Sequence, residues 1–222
     1  LKKKTYFSYR FIFVPETIGC LAYLKKELKK IKSRFVAGYH LTCVGYGKNM
    51  SIIEAKNKNS YTNIVSKKIL FEHDKNYKNY NFLDRGSDER QFNSPGIDLS
   101  VATIMRDKFA SYKEYHTSND NMNLIKRNEI ANSYSFFLKL IEFIENDFLI
   151  KSITKDFYIR SKVIGEPFFR KRNMYRKLGT KNSLSIEEQD LFNVVAYANN
   201  IRFSDLCLKL NRKPSQLLPV IN

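Results

Sequence analysis

The chain has 222 residues, 43% hydrophobic and 27% charged, with 17 Phe and 14 Tyr. That apolar content builds one large domain, or a domain with a small satellite, and excludes wholesale disorder; no apolar run is long enough for a membrane-spanning helix. Thirty-nine Lys and Arg against 22 Asp and Glu leave +17, a balance that invites a polyanion such as nucleic acid, an acidic membrane surface or an anionic glycan.

The start, Leu1-Lys2-Lys3-Lys4, leads into an aromatic run with no small-residue cleavage site, so no signal peptide is read. Arg10–Val14 is aromatic and β-branched, is stopped by Pro15, and predicts a buried strand. After Gly19, Leu21, Leu24, Leu28 and Ile31 recur at helical spacing. Phe35–Val44 predicts a second strand, Tyr61–His73 a helix, and Leu99–Met105 a third strand. Ile130, Tyr134, Phe137, Ile141 and Ile144 mark a long amphipathic helix to about Ile150. Strands alternating with helices predict α/β layers around a largely parallel sheet.

Past Ile150 the character changes. Residues 151–182 carry ten basic side chains against Asp156 and Glu166, a net +8 in 32 residues. This stretch reads as a basic connector with affinity for an anionic glycan or nucleic acid. Ser185-Ile186-Glu187-Glu188 opens a helix as a capping sequence, Phe203–Leu210 forms a second, and Pro214 begins a third at its first turn. The expected organisation is 1–150 as an α/β domain, 151–182 as the connector and 183–222 as a helix-turn-helix. Three widely spaced cysteines (Cys20, Cys43 and Cys207) fit a reducing, cytoplasmic setting and neither a disulfide framework nor a thiolate zinc knot.

Three stretches gather reactive side chains in loops after strands, where α/β proteins place their sites. The first is Phe13-Val14-Pro15-Glu16-Thr17-Ile18-Gly19, with a carboxylate at a strand's end. The second is Asp84-Arg85-Gly86-Ser87-Asp88-Glu89-Arg90-Gln91-Phe92, five charges in nine residues anchored by flanking apolar groups. The third is Glu114-Tyr115-His116-Thr117-Ser118-Asn119-Asp120. His40, inside a strand pattern, and His73, at a helix end, read as structural.

In this order the stretches resemble zinc-dependent exopeptidases of the aminopeptidase and glutaminyl-cyclase type. The wording is closer to a bacterial aminopeptidase-like branch associated with polysaccharide biosynthesis, which ends in a winged helix-turn-helix. The matching segments are Arg10–Gly19, Leu41-Thr-Cys-Val-Gly45, Leu83–Phe92, Ser94-Pro-Gly-Ile-Asp98 and Glu114–Ser118, with Gly165-Glu-Pro167 and Lys171-Arg172 downstream. The resemblance implies a three-layer sandwich with a mostly parallel sheet, a zinc cofactor, and hydrolysis of an amide bond near a free terminus of a peptide or aminoacyl-type substrate. By that resemblance Glu16 is general base or metal ligand and His116 a metal ligand. Asp120 is placed to orient the imidazole of His116, and Arg85, Asp88 and Arg90 to bind substrate.

Two departures qualify it. The family's first strand ends in adjacent Glu residues, and here the pair is Glu16-Thr17; the usual aspartate on the following strand falls at about Thr42. The family's first His and bridging Asp lie upstream of the first strand, and nothing before Arg10 supplies them, so the sequence reads as a piece of a longer protein. A catalytic zinc takes about three protein ligands. These 222 residues alone are therefore expected to hold no stoichiometric zinc and to be inert, whatever the parent does. The rival readings are a binding scaffold in glycan assembly and a nucleic-acid-binding regulator. The regulator ranks third, because the last helix offers Ser215, Gln216 and apolar residues where a DNA-reading helix carries Arg, Lys or Asn.

Overall fold

The computed structural model describes residues 5–151, 191, 194, 195, 198, 200–212 and 214–221. The connector expected over 151–182 and the capping sequence at Ser185 lie outside these residues, apart from Lys151. The chain divides into two compact units between Glu145 and Asn146.

In the first unit the elements run α1 (Ile18–Lys32), β1 (Gly38–Leu41), β2 (Ser51–Ile53), α2 (Tyr61–His73), β3 (Lys78–Tyr80), a 3-10 turn (Phe82–Asp84), α3 (Glu89–Phe92), β4 (Val101–Met105) and α4 (Arg127–Asn146). The sheet order is β1-β4-β2-β3. β1 runs parallel to β4 and β2 parallel to β3, whereas β2 and β4 are antiparallel. Every residue of β4 is buried, as a central strand covered on both faces requires.

Strand alternation then sorts the helices. Ala102 and Ile104 face a core built from Ile52 with Val65, Ile69 and Leu70 of α2 and Phe136, Leu140 and Ile144 of α4. Val101, one residue out of phase, packs with Leu99 against Cys20 and Leu24 of α1. Because successive strand residues point to opposite faces, α1 covers one face of the sheet and α2 and α4 the other. α2 starts where Ser60 accepts a hydrogen bond from the Asn63 amide, and α1 ends among Lys29, Lys30 and Lys32, which complement the helix dipole.

Three sequence expectations change, and two short strands appear that the sequence did not suggest. Arg10–Val14 forms no strand: its backbone is irregular, with Phe11 72% and Phe13 93% exposed. An aromatic, β-branched run suits a pleated, half-buried surface only where a partner strand receives it. Here Arg10 is held instead by Tyr23 and Glu27 of α1. The strand expected over Phe35–Val44 contracts to Gly38–Leu41. β2 and β3, of three residues each, are too short to carry a periodic signal. The long helix stops at Asn146 rather than Ile150, and Leu149–Lys151 becomes β5.

The second unit pairs β5 with β6 (Asn200–Arg202) in antiparallel fashion, followed by α5 (Phe203–Lys209) and α6 (Pro214–Ile221). Leu191, Val194, Val195 and Ala198 are helical and pack with Ile201, Phe203, Leu206 and Leu217. Asp147, the residue after the long helix, accepts from both the amide and the hydroxyl of Ser204, at 2.7 and 3.0 Å.

The end of α4 also tethers the chain start. Glu145 accepts from the Tyr6 and Phe7 amides at 2.6 and 3.2 Å and from the Tyr9 hydroxyl at 2.6 Å. Desolvation pushes this carboxyl up, but the three hydrogen bonds outweigh it and hold it below its ordinary value of 4.5. The folded chain thus binds this proton less tightly than the unfolded chain. The tether is intact above the ordinary carboxylate range and is lost as pH falls through the lowered value. Hydrogen exchange at the Tyr6 and Phe7 amides, corrected for intrinsic acid rates, is expected to accelerate over that window; unchanged protection there would remove Glu145 as the tether.

Candidate functional site

Glu16 and Thr17 sit at the turn into α1. Gly19 permits it, since a Cβ there would lie 2.7 Å from Pro15 and 2.8 Å from Val14. Thr17 has φ of 62°, an unusual conformation for a β-branched residue. Two contacts from the second loop hold it: its amide donates to Asp88 Oδ1 at 2.8 Å, and Arg90 Nη2 donates to its hydroxyl at 3.2 Å. Glu16 is exposed and accepts from the Ser87 hydroxyl at 2.7 Å.

Behind Ser87 lies a buried layer. Glu89, fully buried, accepts from the Gly86 and Ser87 amides through Oε1, at 2.8 and 3.2 Å. Its Oε2 has no hydrogen-bond partner and lies 3.6 Å from Nδ1 of His40. The other ring nitrogen, Nε2, is 3.5 Å from Ser87 Oγ. Gly86 is required in this turn because a Cβ would lie 2.5 Å from the Phe109 ring.

The third loop follows β4, and Cys43 follows β1. Cys43 and His116 both have positive φ, 47° and 58°. Strained backbone at non-glycine residues persists only where the surroundings enforce it. The His116 ring stacks on Tyr115 with centroids 4.0 Å apart, and Cys43 Sγ lies 3.7 Å from the Tyr112 hydroxyl. Burial first, then the charges of Cys43, Glu16 and Asp120, raise the Tyr115 phenol. A largely apolar cleft of about 260 Å³ is lined by Cys43–Tyr46, Tyr112 and Asp120, among others.

A family model described as a domain of unknown function, DUF4910, matches residues 1–147. The chain belongs to the DUF4910 family. It is 35% identical over 194 residues to a Clostridium acetobutylicum protein named as a candidate polysaccharide biosynthesis protein with an aminopeptidase-like domain, covering 86% of this chain and 42% of that protein. The crystal structure of a candidate peptidase from Clostridium acetobutylicum superposes with a TM-score of 0.72 at 30% identity, over 99% of this chain and 48% of that one. This DUF4910 chain therefore spans less than half the length of the relatives it matches.

Of the residues singled out in the sequence, Glu16, Asp88 and Arg90 belong to one latch between the first two loops. Asp88 is buried, with its carboxylate on the Thr17 amide. Arg85 is exposed, its guanidinium 4.7 Å from the centre of the Phe82 ring, folded back onto its own turn. His116 and Asp120 lie in the third loop and are exposed. His40 lies behind this latch, its ring between Glu89 and Ser87. Ser87 and Glu89 stand inside the charged motif, but nothing local distinguishes a buried Glu from its solvated neighbours; only β1 and β4 meeting behind the loop does.

Among the described residues no group of three or more His, Cys, Asp or Glu side chains is arranged to hold a metal ion. Nor is any described helix long and apolar enough to cross a membrane. Cys20, Cys43 and Cys207 form no disulfide. Desolvation, with the Asp88 charge second, pushes the Cys20 thiol up to about 12. Iodoacetamide at mildly alkaline pH is therefore expected to modify the half-buried Cys43 first and to leave Cys20 intact until the chain unfolds. Peptide mapping reads this directly, and early modification of Cys20 would contradict its burial.

Proposed function

We propose that this DUF4910 chain is the peptidase-like part of a hydrolase that cleaves an amide bond near a free amino terminus in polysaccharide assembly. Glu16 supports the reading most directly. An exposed carboxylate, fixed by the Ser87 hydroxyl at a strained turn, is placed to take a proton from water as that water attacks a carbonyl. The apolar cleft lined by Cys43, Tyr46 and Tyr112 has room for one small side chain. The likeness to the Clostridium acetobutylicum proteins supports the same class.

The resemblance implies zinc. Glu16 and His116 are two side chains of ligand type, whereas a catalytic zinc takes about three, so the described donor set does not fit the ion by itself. That count favours a second reading, a scaffold that binds its substrate without turning it over.

Aminoacyl anilides, with metal analysis of the same full-length protein, test both. Under the hydrolase reading Glu16→Gln lowers kcat by about 100-fold or more with little change in KM. Binding of an aminoacyl ligand with no turnover, even with added zinc, would favour the scaffold. Turnover unaffected by Glu16→Gln would overturn its role as base.

A further inference from the structure

We propose that Ser87 is a nucleophile, with His40 as its base and Glu89 holding His40, and that it accepts the acyl group of a small uncharged ester. The proposal does not rest on the amide-hydrolase reading.

The three residues come from different elements. Ser87 lies in the turn before α3, Glu89 is the first residue of α3, and His40 is on β1. Their order in space is Ser87 Oγ to His40 Nε2 at 3.5 Å, then His40 Nδ1 to Glu89 Oε2 at 3.6 Å. Nucleophile, base and orienting carboxylate in this order make up the constellation of hydroxyl-based acyl transfer, and such contacts are commonly long before substrate binds.

The tautomer of His40 follows from the buried carboxylate. Glu89 Oε1 is already taken by two amides, and Oε2 is buried with nothing else to accept from. A carboxylate oxygen left unpaired in the interior is costly, so the ring proton belongs on Nδ1. Thr103 Oγ1, 3.3 Å from the same nitrogen, is a hydroxyl that can also accept. The lone pair then sits on Nε2, facing Ser87. The Ser87 hydroxyl has two acceptors, Glu16 Oε1 at 2.7 Å and His40 Nε2, and turns between them by rotation about one bond. The His40 side chain is 18% exposed and Ser87 is half-buried, so the base is sheltered while the hydroxyl is reachable.

The step balances without a metal or redox partner. Ser87 Oγ bonds to the acyl carbon, its proton passes to His40 Nε2, and the ester C–O bond breaks as that proton goes to the departing alkoxide. Water then attacks the acyl-serine, His40 takes its proton, and the proton returns to Ser87 as the acid leaves. The Glu16 carboxylate beside the hydroxyl disfavours an anionic acyl group.

A fluorophosphonate probe tests this, because an activated serine hydroxyl displaces its fluoride far faster than water or an ordinary hydroxyl does. Incubation of the chain with the probe in EDTA, followed by peptide mapping, is expected to give one adduct on Ser87. Ser87→Ala should abolish it, and His40→Gln should slow it by about 100-fold or more, with His40→Asn as a second variant should the first misfold. Glu89→Gln should move the ring proton of His40 from Nδ1 to Nε2 in the imidazole ¹⁵N spectrum. No adduct on Ser87 in the unmodified chain, or labelling indifferent to both His40 variants, would overturn the proposal.

Discussion

Replacing Phe136 with alanine is expected to cost about 3–5 kcal/mol, the range for deleting a fully buried aromatic side chain. Phe136 has no exposed surface and stands on α4 in register with Leu140 and Ile144, facing Ile52 and Ile104 of the sheet. Its ring meets His73 edge-on at 5.7 Å and Phe137 at 5.2 Å, contacts that no rearrangement of alanine can replace. A domain holds about 5–15 kcal/mol in all, so the loss takes a large share of its stability. With a urea slope of about 2 kcal/mol per M, the unfolding midpoint should fall by about 2 M. The half-buried Phe137, changed the same way, should cost clearly less. Equal midpoints for the two variants would mean that α4 is not seated on the sheet through Phe136.

Arg106→Met is the second large effect. The Arg106 side chain is 4% exposed and donates to the Gly47 carbonyl at 2.7 Å, the Lys48 carbonyl at 2.6 Å and Asn132 Oδ1 at 2.7 Å, and it pairs with Glu129. It ties the loop after β1 to the first turns of α4. Methionine fills much of the volume and satisfies none of these groups, and breaking such a buried network by removing one partner costs about 3–5 kcal/mol. Lysine should recover only part, because a single ammonium cannot reproduce the planar fork. The same loop carries Cys43, so alkylation of that thiol should accelerate in Arg106→Met under native conditions. A variant with lowered stability but unchanged Cys43 reactivity would separate Arg106 from control of the loop.

Much of this architecture was legible in the chain. The spacing of Leu21, Leu24, Leu28 and Ile31 marks α1, and Tyr61–His73 is a helix with the bounds its sequence suggests. Pro214 opens the last helix, as its fixed φ and missing N–H favour. The strand reading of Arg10–Val14 failed because a strand is a pairing rather than a property of five residues, and no described strand receives it. β2 and β3 escaped notice for the complementary reason: three residues hold less than two periods of alternation.

The site divides in the same way. Residue types and their order mark the loops around Glu16, Ser87 and His116, since carboxylates, a glycine turn and a lone polar histidine stand out against apolar flanks. What the sequence could not decide is which of the charges face inward. Asp88 and Glu89 are adjacent carboxylates in one motif; the fold buries both, setting one on the Thr17 amide and the other beside His40. Arg85 and Arg90 are equally cationic in the chain, and one folds onto Phe82 while the other reaches Thr17. Local pattern fixes the helices because their hydrogen bonds close within four residues. The meeting of His40, Ser87 and Glu89 depends on β1 lying beside β4, a contact between segments some 60 residues apart that only the tertiary structure makes.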